Sequence, residues 1–105
     1  MRTYKLTIPQ TLGSLHDLLG SMMLMSPEFT DLWFPGMNID TTFEELTQGI
    51  EVSKARLGDD VYGQLMMLSQ ELRACYEAKD IKTGNMIADR MSQIIEKRGA
   101  QLQKL

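Results

Sequence analysis

Along the chain, apolar residues recur mostly three and four positions apart, the spacing that places them on one face of an α-helix. Leu12, Leu15, Leu19 and Met22 form the first such stripe, widened by Leu18 and Met25, and predict a helix over about 10–25. Pro9 suits its entry, and Ser26-Pro27 ends it. Gly13 and Gly20 lie seven apart on one face of this helix, which suggests a close approach by a neighbour. A second stripe, Phe43, Leu46, Ile50 and Leu57, predicts a helix stopped by Gly58. Its start reads as a capping box, Thr42-Phe43-Glu44-Glu45, in which hydroxyl and carboxylate satisfy first-turn amides reciprocally.

Val61, Leu65, Leu68, Leu72 and Cys75 make a third seam, over about 60–78, entered through an Asp59 or Asp60 cap. Asp80 caps a fourth helix over 81–98 or longer, whose inner face carries Ile81, Gly84, Ala88, Met91 and Ile95. The link between the third and fourth helices is short, so they form an antiparallel hairpin. Before all of this, Tyr4, Leu6 and Ile8 alternate in TYKLTI with a strand-like period. Six residues without a partner strand do not make a sheet, and an extended arm packed over helices is the equal alternative. The expected fold is therefore all-α, one domain spanning 1–105: a small bundle of about four helices with a short extended N-terminal arm.

The segment between the first two helices breaks the pattern. MSPEFTDLWFPGMN (25–38) places Phe29, Trp33, Phe34 and Met37 among two prolines and a glycine, with Glu28, Asp31 and Asp40 interleaved or adjacent. Two readings stand side by side. The aromatics cap one end of the bundle, or they form a stiff, sticky loop with a charged rim, as at an interface hot spot.

Charge sharpens the second reading. The net charge of −3 is uneven: residues 17–60 carry nine acids and two bases, whereas 61–105 and 1–16 each sum to +2. An acidic half repels nucleic acid and attracts basic proteins. The basic residues of the last helix, Lys82, Arg90, Lys97, Arg98 and Lys104, are interleaved with acids and lack an aromatic platform, so nucleic-acid binding is not expected. The most apolar run, LLGSMMLM, spans eight residues with Gly and Ser among them, well short of the roughly 20 that a membrane helix needs. No leader is evident at MRTYKLTIPQ, and a cytoplasmic protein with no membrane association is expected.

Catalytic chemistry finds little footing. Ser14, His16 and Asp17 invite a triad reading, but on a helix Ser14 and His16 point about 200° apart, and a triad needs convergence. His16 is the sole histidine and Cys75 the sole cysteine, so neither a metal site nor a disulfide can be assembled from them. Cys75 reads as a buried structural thiol. Gly58-Asp59-Asp60 reads as a helix start, and no glycine-rich phosphate loop is present. The nine methionines fall mostly at or beside core positions and read as packing material. The expectation is a binding protein with no cofactor and no metal, not an enzyme.

One stretch, LMMLSQELRACYEAKDIKTGNMIADRMSQIIEK (65–97), resembles the terminal helical hairpin of small bacterial immunity proteins. These accompany polymorphic toxins, including those of contact-dependent growth inhibition. The aromatic before a short charged turn, Tyr76-Glu77-Ala78-Lys79-Asp80, and the apolar helix after it carry the likeness, which covers about a third of the chain. The resemblance implies a cytoplasmic inhibitor that binds and neutralises a cognate toxin, often a nuclease. It supplies no binding residues. Glu28, Asp31, Trp33, Phe34, Asp40, Glu44 and Glu45 are the candidate partner-binding residues on the charge and aromatic argument alone, and a basic partner is the match for them. The alternative is a helical adaptor or regulator that acts by homodimerisation, through the loop or the arm, or by partner binding.

Overall fold

The computed structural model describes residues 5–26 and 38–104. They form five helices: α1 (Leu12–Met25), α2 (Ile39–Val52), α3 (Lys54–Leu57), α4 (Asp59–Glu77) and α5 (Ile81–Gln103). No strand occurs among the described residues. The four long helices close a ring: α1 packs on α2 and α5, α4 also packs on α2 and α5, and the diagonal pairs bring no Cα atoms within 8 Å of each other.

Cross-helix contacts fix the directions. His16 Nε2 meets Glu96 Oε1 at 2.8 Å while Ser26 reaches Asn85, so α1 and α5 run antiparallel. Arg73, near the end of α4, pairs with Asp40 at the start of α2. Gly49, late in α2, sits so close to α1 that a Cβ there would lie 3.2 Å from Leu15 Cδ1. The bundle is thus up-down-up-down, the arrangement short connections favour. The all-α bundle expected from the periodicity is what forms, with its four helices as the four long ones.

The inner faces follow the apolar stripes, except that Ile81, expected on the inner face of the last helix, is exposed at its first position. Leu15, Leu19 and Met22 of α1 meet Phe43, Leu46 and Ile50 of α2, Leu65 and Leu72 of α4, and Ala88, Met91 and Ile95 of α5. Full burial of each larger side chain contributes about 1.5–3 kcal/mol before entropy is counted. Of the methionines, Met22 and Met91 are buried and Met23, Met25 and Met66 pack partly against the core, but Met67 and Met86 point outward.

Several local expectations change. The cap of α2 is Asn38, not Thr42. Asn38 Oδ1 accepts the Thr41 amide and the Asn38 amide donates to Thr41 Oγ1, both at 2.9 Å. This is a capping box one turn earlier, built from a short amide and a hydroxyl. Thr42 lies inside the helix, buried, with its hydroxyl donating to Asn38 O at 2.7 Å.

The helix expected to run unbroken to Leu57 is divided at Ser53, and α3 packs against α2, α4 and α5. That placement brings Leu57 under the bundle, 1% exposed, while Val52 remains outside. Gly58 ends α3 at φ +82, a left-handed value that favours glycine, and serves as the N-cap of α4. Asp59 and Asp60 are first-turn residues and not caps. Their charges still complement the helix dipole.

On α4 the innermost register ends on Tyr76, and Cys75 is only half-buried. The reason is visible on α5: a Cβ at Gly84 would lie 2.5 Å from Tyr76 Cε1, so the missing side chain makes room for the ring. Gly13 and Gly20 have no such neighbour. Among the described residues, nothing lies within 4 Å of a Cβ at Gly20, and only Thr11 Oγ1, at 3.8 Å, approaches one at Gly13.

Candidate functional site

The candidate partner-binding residues divide into three groups. Glu28, Asp31, Trp33 and Phe34 lie outside the described residues. Asp40 and Glu44 occupy consecutive turns on the exposed side of α2, four residues apart and therefore on one face. Glu45 departs from the expectation of a surface acid. It is 4% exposed, and its Oε2 accepts the backbone N–H of Thr7 at 2.7 Å. Adjacent helical residues turn about 100° apart. Glu44 therefore lies on the α4 side while Glu45 lies under the N-terminal arm.

Between α2 and α4 lies a groove of about 440 Å³, lined by Asp40, Phe43, Glu44, Thr47, Ser69, Gln70 and Arg73. Its components come from ordinary helix geometry. Asp40, Glu44 and Thr47 are spaced four and three apart along α2, and Ser69 and Arg73 four apart along α4. Phe43 is turned toward the core and meets Tyr76 edge to face, centroids 6.3 Å apart. Glu44 Oε1 accepts from Gln48 Nε2 at 3.0 Å, which orients the carboxylate along the helix. Ser69 donates to Met66 O at 2.7 Å and so turns its hydroxyl back onto its own helix.

Arg73 is the residue that reading the sequence for acids and aromatics passed over. Its guanidinium lies over the Phe43 ring, 5.7 Å from the centroid, pairs with Asp40 and reaches Glu77 Oε1 at 3.5 Å. A cation over an aromatic face is held by the ring quadrupole. The signal was present: Arg73 is the only Lys or Arg between residues 57 and 78, and Glu77 follows at the helical pairing distance. With one base among Asp40, Glu44 and Glu77, this side of the molecule stays net acidic.

Below the groove's open end, Tyr76 is anchored from its other tip. Its hydroxyl donates to Asn85 Oδ1 at 2.7 Å, and Ser26 Oγ reaches the same oxygen at 3.4 Å. Burial pushes the Tyr76 hydroxyl above the usual phenol range; the Ser26 hydrogen bond opposes this and Cys75 adds to it. The network ties the end of α1 to the hairpin.

The residues of the rejected triad do not converge. His16 pairs with Glu96 across to α5, whereas Ser14 belongs to the Thr11 cap. Among the described residues no group of three or more His, Cys, Asp or Glu is placed to hold a metal ion. No helix among them is long and apolar enough to cross a membrane. Comparison with known proteins returns no match: no family model fits the sequence, and neither a curated protein nor a solved structure resembles it at a significant level.

Proposed function

We propose that this chain is a cytoplasmic protein-binding inhibitor, of the immunity-protein kind, that neutralises a basic toxin by occluding it with the acidic face of α2. The observation that carries the reading is the pairing of Asp40 and Glu44 on the exposed face of α2, beside a groove with Phe43 in its wall. Carboxylates at the rim accelerate encounter with a positive partner, and the groove beside them gives a partner side chain a recess to enter. Arg73 fits the same picture. It already shows how a guanidinium is accommodated there, stacked on Phe43 and paired to Asp40.

The test is capture from the native host with wild type and an Asp40→Asn/Glu44→Gln variant, at low and high salt. The expected result is one basic protein, held by wild type, weakened by salt and lost by the variant. That protein should arrest growth when expressed alone and be harmless when co-expressed with this chain. A captured protein without toxicity, or capture indifferent to both charge changes, overturns the inhibitor reading. Recovery of this chain alone, with concentration-dependent dimers, transfers support to a self-associating adaptor.

A further inference from the structure

We infer that the groove between α2 and α4 takes an arginine side chain of the partner, and that Arg73 is the internal guanidinium this side chain displaces from Asp40; this rests on the reading of α2 as the partner-facing helix. Arg73 is the only base among the described residues that line the groove. Its two carboxylate contacts use different nitrogens. Nη2 crosses the groove to Asp40 on α2, whereas Nε lies 3.5 Å from Glu77 Oε1, one turn further along its own helix. The Asp40 contact can therefore break while the Glu77 contact persists.

The hold on Asp40 is light. The Arg73, Asp40 and Glu77 side chains are 36%, 74% and 55% exposed, and ion pairs this solvated contribute little each. Nor does Arg73 satisfy the whole acidic face. Among the described residues, Glu44 is engaged only by Gln48, through Oε1. Asp40 and Glu44 lie one turn apart on the same face, so a guanidinium arriving from outside can bridge two carboxylates where Arg73 meets one of them. The planar fork of arginine suits such a bridge, whereas the ammonium of lysine is a point charge. Arg73 thus acts as a filter. A cation that contacts Asp40 alone gains nothing over the resident guanidinium, and one that also engages Glu44 replaces it.

Calorimetric titration of the full chain with hexa-arginine and hexa-lysine peptides at low salt tests the filter. Wild type should prefer hexa-arginine about fivefold. Arg73→Gln should bind both peptides more tightly and cut the preference to about twofold, because lysine no longer competes with a resident guanidinium. Arg90→Gln removes one positive charge from the exposed face of α5, the diagonal helix. It should leave the preference as it is, which separates a filter from a general change of charge. No preference in wild type, a preference unmoved by Arg73→Gln, or one moved equally by Arg90→Gln overturns the inference.

Displacement is also read without a variant. On titration of wild type with hexa-arginine, the Arg73 Nε–H resonance should shift while the Leu65 and Leu72 amides stay in place. A saturated complex with the Arg73 signal unmoved overturns the displacement. If hexa-arginine binds wild type and Asp40→Asn/Glu44→Gln alike, or binds neither, the acidic-face reading of α2 fails and takes this inference with it. Binding that depends on those two acids but not on Arg73 overturns the inference alone.

Discussion

The α4–α5 hairpin and the α1–α2 side of the ring hold together by different means. In the hairpin, backbone meets side chain without slack: Tyr76 occupies the space a Cβ at Gly84 would fill, and its hydroxyl is satisfied by Asn85. The turn between the helices is a Schellman motif, with Asp80 N–H donating to Cys75 O and Lys79 N–H to Tyr76 O. On the other side, α2 is interrupted at Ser53, whose buried hydroxyl has no hydrogen-bond partner among the described residues, and part of its outer face is closed by the arm instead of by a helix. Tight complementarity specifies one arrangement at the hairpin. Looser closure on the α2 side leaves a surface that can change.

The strongest way to break the contrast is Gly84→Ala. A methyl 2.5 Å from Tyr76 Cε1 forces the ring or α5 to move, with an expected loss of about 2–3 kcal/mol, measured by urea denaturation. Gly20→Ala on α1 is its control. With nothing within 4 Å, it should stabilise by about 0.5–1 kcal/mol through helix propensity.

Tyr76→Phe comes next. It removes the bond to Asn85 and should cost about 1–1.5 kcal/mol near neutral pH. Because burial raises the folded-state phenol above its unfolded value, the unfolded chain loses this proton first as pH climbs. The stabilising contribution is complete below about pH 10 and is lost above it as pH rises toward the folded-state value. Denaturation midpoints at pH 9 and 11 should therefore fall further for wild type than for Tyr76→Phe.

On the α2 side, Ser53→Ala should stabilise by about 1 kcal/mol, because it removes a buried hydroxyl that has no partner among the described residues. A loss instead would show that the hydroxyl is satisfied in solution. The smallest effect expected is Lys79→Gly. Lys79 adopts φ +64 in the turn, and glycine there should add about 0.5–1 kcal/mol to the thermal stability.

Much of this fold is legible in the sequence because helix faces are read from spacing. Leu15, Leu19 and Met22, or Leu46 and Ile50, have to share a face on any regular helix, and the burial follows. Boundaries were harder. Asn38 and Thr42 are both good caps, and only the tertiary placement of Ile39 against the core decides between them. Glu45 was hidden for another reason, since whether a helical acid is outside depends on what else covers it. The arm does so, and its contact with Glu45 spans 38 residues of sequence. Gly84 was legible as a small residue on the inner face of the last helix, and it seats the Tyr76 ring; Gly49, which seats the Pro9 ring, was not, and glycine spacing pointed to Gly13 and Gly20 instead. Arg73 was missed because a single base beside a seam reads as solvated surface until Asp40 and Phe43 are brought under it.

The ring of four helices also sets an order of assembly. The α4–α5 hairpin joins neighbours through a three-residue turn, whereas α1 meets α5 through contacts such as His16–Glu96, 80 residues apart. Loop-closure entropy delays the distant pair until the intervening helices are in place. Substitutions in the hairpin interface, such as Ala88→Gly, should then chiefly slow refolding. Those on the α1–α5 seam, such as Leu19→Ala, should chiefly quicken unfolding. Stopped-flow chevrons of the two variants would reveal α1 as the helix that locks the bundle last and lets go first.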